Sequence, residues 1–293
     1  MSWQTKAVAA YVKSTRKRRY TTSAGAERLL AQPKGSSDPP RRLAKRFGVS
    51  TRIVDGCAVH CVSPEVSEHS ATVIYLHGGA YVNEIQKLHW KLIADVATHV
   101  GVDVWVPIYG LAPRYHAEEA IALMHKVLAA ATSKGPTYLM GDSAGGGLAL
   151  AAEMSWSAAG GPAVAGLTLI APWLDIGLRN PDIAALELRD PWLSTPGLRL
   201  VGDVWADGLS PDDPRVSPLF GDLSTLPLTD LYVGDRDITV ADCRLLRDKM
   251  PPGRVEYHEQ PGGLHVYPLL PVPEGRAARK DVLGHVRTAM ASV

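Results

Sequence analysis

The chain has too little cysteine to build a scaffold. Three cysteines stand among 293 residues, at positions 57, 61 and 243. So small and odd a set excludes a disulfide framework and leaves at least one thiol free. Cys57 and Cys61 lack the second ligand pair that a structural zinc site needs, so the cysteines read as small apolar fillers in a reducing compartment. Net charge is missing too: 31 Lys and Arg against 30 Asp and Glu leave +1, which argues against a nucleic-acid binder that relies on overall charge. Nor is there an unbroken membrane-length apolar run. The longest uncharged stretch, Met154 to Leu174, is interrupted by Gly160-Gly161-Pro162 and reads as a helix–loop–strand junction. Residues 1–20 carry basic charge throughout, without the apolar centre of a secretion signal. A soluble, cytoplasmic protein is expected.

Apolar content is plentiful. With 46% hydrophobic and 21% charged residues, the chain can bury a core and is not disordered. Its length suits one large α/β domain or two ordinary ones. Charge is unevenly spread: residues 1–46 hold twelve Lys and Arg but only Glu27 and Asp38 as acids, so the remainder carries −9 of the net +1. The cluster Lys13, Arg16, Lys17, Arg18, Arg19 near Trp3, Tyr11 and Val12 has two readings. One is an amphipathic surface helix with weak affinity for anionic membranes; the plainer and preferred one is a solvated face balancing the acidic body.

From Phe47 onward the pattern alternates. Strands are expected at 49–54 and 58–62 around the turn Asp55-Gly56, then at 71–76, 102–106, 136–140, 166–171, 229–233 and 254–259. Helices are expected at 88–99, 118–132, 148–157 and 281–291. Such alternation predicts a mostly parallel sheet with helices on both faces. The stretch from about 176 to 222, rich in Pro, Asp and Leu, breaks the rhythm. It reads as an insertion above the carboxyl edge of the sheet, where open α/β sheets bind ligands.

Three segments converge on one chemistry. Gly141-Asp142-Ser143-Ala144-Gly145 joins a strand to a helix and matches G-x-S-x-G, a sharp turn that lifts a serine hydroxyl over the sheet edge. Bulky residues at 141 and 145 would clash in such a turn. The same run lacks the Lys-Ser/Thr of a phosphate-binding loop and registers no G-x-G-x-x-G. Upstream, a strand runs into His77-Gly78-Gly79-Ala80-Tyr81. There the N–H groups of Gly78 and Gly79, joined by that of Ala144, are expected to hold an oxyanion, with His77 bracing the loop. A serine needs a base, and the base needs a carboxylate. The order Ser, acid, His leaves Asp235 and Asp237 after one strand and His265 after the next. Asp237 is preferred, although spacing does not decide between the two. His258 and His285 also follow the acids, but read as structural or exposed.

These residues resemble the hormone-sensitive-lipase-like branch of the α/β-hydrolase fold, the bacterial family IV carboxylesterases. The resemblance rests on His77-Gly78-Gly79-Ala80, Tyr109-Gly110-Leu111-Ala112-Pro113-Arg114, Gly141-Asp142-Ser143-Ala144-Gly145-Gly146, Val216-Ser217-Pro218-Leu219, Gly234-Asp235-Arg236-Asp237-Ile238 and Gly263-Leu264-His265. It implies Asp237 as the acid and a helical cap from residues 1–46 and about 176–222 over a core spanning 47–293. It also implies hydrolysis of short- to medium-chain esters through an acyl-enzyme, with no cofactor or metal. Two departures stand out. Ala80 replaces the commoner third glycine, and Gly110 replaces an arginine. The rivals are a deacetylase, lactonase or amide hydrolase with the same triad, or a non-catalytic small-molecule receptor on the same fold.

Overall fold

The computed structural model describes residues 1–65 and 71–291. Helices α1 (Trp3–Thr15), α2 (Ser23–Ala31) and α3 (Arg41–Ala44) precede the antiparallel hairpin β1 (Gly48–Val54) and β2 (Cys57–Ser63). Alternation then begins with β3 (Thr72–Leu76), α4 (Lys87–Val100), β4 (Asp103–Pro107), α5 (Ala117–Thr132), β5 (Thr137–Asp142), α6 (Ala144–Ala158) and β6 (Gly166–Ile170). The short α7 (Ile183–Glu187) and α8 (Thr195–Ala206) interrupt it before β7 (Thr229–Gly234), α9 (Val240–Lys249), β8 (Val255–Gln260) and α10 (Pro273–Ala291). The sheet order is β1-β2-β4-β3-β5-β6-β7-β8. β2 runs antiparallel to both neighbours, β1 and β4, and the other seven strands all run in one direction.

Every residue of β3, β5, β6 and β7 is buried, as strands covered on both faces must be. α4 packs against α10 over β2 and β4, whereas α5 packs against α6, which lies on β3, β5 and β6. Because β5 to β8 are parallel, their carboxyl ends share one edge, and the loops that carry Ser143, Asp237 and His265 all emerge there.

Two helix starts and one whole helix of the alternation differ from the sequence reading. α6 starts at Ala144 rather than 148, taking in Gly145-Gly146-Gly147; glycine disfavours a helix interior by about 1 kcal/mol per residue, but tertiary packing requires small residues here. α10 starts at Pro273, eight residues before the expected 281, its proline tolerated in the first turn. α9 went unread because its charged sequence buries only a narrow stripe around Val240, Cys243 and Leu246.

The two segments outside the alternation meet. α2 packs on α8, Gly197 N–H donates to the Tyr20 carbonyl at 2.7 Å, and the Lys17 ammonium donates to the carbonyls of Glu187 and Asp190 at 2.7 and 2.6 Å. α1 is two-faced. Thr5, Ala9 and Val12 are buried on protein, while Trp3, Lys6, Tyr11 and Lys13 face solvent. Cys61 and Cys243 are buried, Cys57 is half-buried, and all three are free thiols. Among the described residues no helix is long and apolar enough to cross a membrane.

Candidate active site

Ser143 sits between the end of β5 and the start of α6 with φ 51° and ψ −122°, a sparsely populated conformation for a residue with a side chain. Its backbone is clamped from both sides. The Ser143 N–H donates to Ile170 O at 2.8 Å, and Ser143 O accepts from Trp173 N–H at 2.9 Å. The flanking glycines are sterically required. A Cβ on Gly141 would lie 2.3 Å from Gly145 O, and one on Gly145 would lie 2.2 Å from Leu76 O.

The three side chains expected to work together are in contact. His265 Nε2 lies 2.9 Å from Ser143 Oγ, and His265 Nδ1 lies 2.7 Å from Asp237 Oδ2. Asp237 is fully buried and its Oδ1 accepts from the Thr239 N–H at 3.0 Å. Burial works against a charged imidazole, but the Asp237 charge and hydrogen bond, with Asp190 and Asp142 nearby, leave the His265 pKa raised above its ordinary 6.5. Asp235 is engaged elsewhere: its Oδ1 accepts from the Gly262 N–H at 2.7 Å.

Sequence reasoning missed Asp190. This buried carboxylate accepts from the N–H groups of Trp192, Leu193 and Ile238. Burial, followed by repulsion from Asp237, pushes its pKa up to about 6. It fixes the backbone beside Asp237 and holds the Trp192 segment, whose indole meets His265 edge-on at 5.8 Å. A lone acid in a Pro- and Asp-rich stretch gives no sequence signal for this.

The glycine loop after β3 corrects one expectation. The Gly78 N–H donates to Asp142 Oδ1 at 2.9 Å, so it is not available to an oxyanion. Gly79 and Ala80, at φ 133° and 53°, line the cavity beside Ser143. Their N–H groups have no hydrogen-bond partner among the described residues. The reason lies in Asp142, the variable residue of G-x-S-x-G, which also accepts from Tyr75 OH at 2.5 Å and faces His89 Nε2 at 3.3 Å. Burial raises the Asp142 pKa, but His89 and these hydrogen bonds outweigh it and leave it below the usual carboxylate value. His77 braces the loop. It stacks on Tyr109 at 4.6 Å, its backbone carbonyl accepts from Tyr109 OH at 2.5 Å, and burial lowers its pKa to about 4. Gly110 also has a packing reason, since a Cβ there would fall 2.1 Å from the Tyr115 ring.

Ser143 and His265 open into a cavity of about 700 Å³. Trp173, Trp192, Leu198 and Leu269 line it, and α1 contributes Val8 and Val12. The aromatic column Trp173–Tyr81–Trp205, with Tyr81 stacked nearly parallel on Trp205 at 4.2 Å, ties the glycine loop to α8. His258 and His285 lie together against Tyr232, apart from the three contacting side chains.

Residues 73–269 match the family model described as the alpha/beta hydrolase fold. An acetyl-hydrolase of Streptomyces hygroscopicus is 31% identical over 246 residues, covering 80% of this chain and 81% of the relative. An esterase of Acinetobacter venetianus is 32% identical over 199 residues, 66% of each chain. A crystal structure of an esterase from the bacterial hormone-sensitive lipase family superposes with TM-score 0.80 at 23% identity over 99% of both chains, a likeness of fold. On this evidence the chain belongs to the α/β-hydrolase fold family.

Proposed function

We propose that this carboxylic ester hydrolase is a serine esterase acting on short- to medium-chain esters through an acyl-enzyme on Ser143. The observation that carries the reading is the His265 ring, in hydrogen-bond contact with Ser143 Oγ at one nitrogen and Asp237 at the other. Ser143 Oγ attacks the ester carbonyl while His265 Nε2 takes its proton, and buried Asp237 orients and stabilises the imidazolium. The free N–H groups of Gly79 and Ala80, with that of Ala144 at the start of α6, receive the oxyanion; each such donor contributes about 2.7–4 kcal/mol. His265 then returns the proton to the leaving alcohol, and water releases the acid by the same steps in reverse. Residues 1–46 and about 176–222 serve as the cap that walls the cavity. Its volume of about 700 Å³ suits a small or medium ester and falls within the usual range for ligand pockets.

A nitrophenyl ester series from acetate to laurate, hydrolysed by wild type and Ser143→Ala, tests this. Turnover that fades with the longer acyl chains and vanishes in the variant is expected. Turnover that survives in Ser143→Ala removes the nucleophile assignment. A folded wild type that cleaves no ester shifts the reading to a narrower hydrolase or a receptor.

A further inference from the structure

The sheet carries a second cluster of chemistry-bearing side chains away from Ser143. In the parallel pairing of β7 and β8, Asp230 stands opposite Glu256 and Tyr232 opposite His258. Residues two apart on a strand share a face, so these four lie on one side of the sheet. α10 brings His285 onto that side: its Nδ1 is 3.1 Å from Asp230 Oδ1, and its Nε2 is 3.4 Å from Glu256 Oε2. One ligand atom from each of Asp230, Glu256, His258 and His285 lies within 4.8 Å of all the others.

We infer that Asp230, Glu256, His258 and His285 form a binding site for one divalent ion of the zinc class. Two imidazoles and two carboxylates are the donor set that such ions accept. His258 Nε2 is screened from solvent yet has no hydrogen-bond partner among the described residues. That is a costly state for a buried nitrogen, which a metal bond would relieve. The outer contacts also fit. Tyr138 OH donates to Asp230 Oδ2 at 3.1 Å, the Tyr232 hydroxyl lies 2.9 Å from His285 Nδ1, and the Tyr232 ring stacks on His258 at 4.3 Å. Such second contacts orient ligands in metal sites.

Asp230 and Glu256 are each the second residue of strands whose far ends lead to Asp237 and His265. The ion is therefore structural. It cross-links α10 to β8, the edge strand of the sheet, and takes no part in ester cleavage.

The test is titration of the metal-free full chain with Co²⁺ and Zn²⁺, followed by visible absorption and thermal melting, in wild type, His258→Gln, His285→Gln and His265→Gln. One Co²⁺ per chain, with the absorption of a four-coordinate ion and a higher Tm, is expected in wild type and His265→Gln. A loss of affinity of about tenfold or more is expected in each of the other two. Unchanged binding in those two variants, or loss in His265→Gln alone, places the ion elsewhere and overturns the inference. So does no binding in wild type. Should a variant fail to fold, X-ray absorption of the Zn²⁺-loaded wild type decides: two imidazoles with oxygen ligands uphold the site, and a single imidazole or any sulfur ligand overturns it.

Discussion

The Gly78 N–H donates to the Asp142 carboxylate at 2.9 Å, joining the loop after β3 to the residue immediately before Ser143. This bond fixes which loop amides are left to face the substrate. Under the proposed serine-esterase reading, Asp142 is a positioning residue, acting through the loop rather than on the ester.

Asp142→Ala should lower kcat by up to about 10²-fold, the scale for one misdirected oxyanion donor, with little change in KM. Asp142→Asn keeps a carbonyl oxygen for the Gly78 N–H and should retain much more activity. Steady-state kinetics of both variants on one nitrophenyl ester check this. Equal losses in the two, carried by KM, would count against the positioning role.

The pH dependence follows from the raised His265 pKa. Only the neutral imidazole accepts the serine proton, so kcat/KM should rise with pH through a single limb centred above 6.5 and level off beyond it. In Asp237→Asn the imidazolium loses its partner, and the remaining activity should show its limb at lower pH. A pH–rate profile of each enzyme reads both values.

Glu153 on α6 is buried, 3% exposed, and its Oε2 has no hydrogen-bond partner among the described residues. Burial pushes its pKa up from 4.5 to about 7. A raised carboxylate means that the folded state disfavours the charge, so the penalty is absent below the unfolded value near 4.5 and grows as pH rises through about 7. Glu153→Gln should therefore stabilise the protein by about 1–3 kcal/mol well above pH 7. The gain should disappear below pH 4.5, and urea melts at both extremes would show whether it does.

Trp205, 1% exposed, stacks on Tyr81 and meets Tyr109 edge-on. It thus anchors α8 to the loop that carries Gly79 and Ala80. Trp205→Ala should cost about 3–5 kcal/mol of stability. Well below the melting transition, activity should fall more than that of a variant with an equal loss of Tm made in β1. Thermal denaturation and kinetics on matched variants separate loop positioning from general destabilisation.

Much of the molecule was legible from local pattern. Strands 49–54 and 229–233 were placed within a residue of their observed bounds, because apolar runs beside turn residues announce themselves over short windows. The elbow was equally legible as a five-residue pattern, although only Gly141 answers a clash inside it and Gly145 answers one with Leu76 on the neighbouring strand. Asp237 was preferred to Asp235 although spacing did not decide between them, the resemblance pointed the same way, and in the structure Asp235 is held by the Gly262 N–H. The donor assignment at Gly78 failed because its partner lies 64 residues further along the chain, a separation that no local pattern spans.

The sequence by itself determined the strand–helix alternation and the order of Ser143, Asp237 and His265 along it. Both follow from side-chain periodicity and from the backbone freedom of a few glycines, which act over a handful of residues. Only the tertiary structure decided which loop amides are free, that Asp190 lies beside Asp237, that α1 walls the cavity, and that Asp230, Glu256, His258 and His285 meet. Each of these depends on strand register and on helices packing across the sheet. Distance in the chain and distance in space are there unrelated.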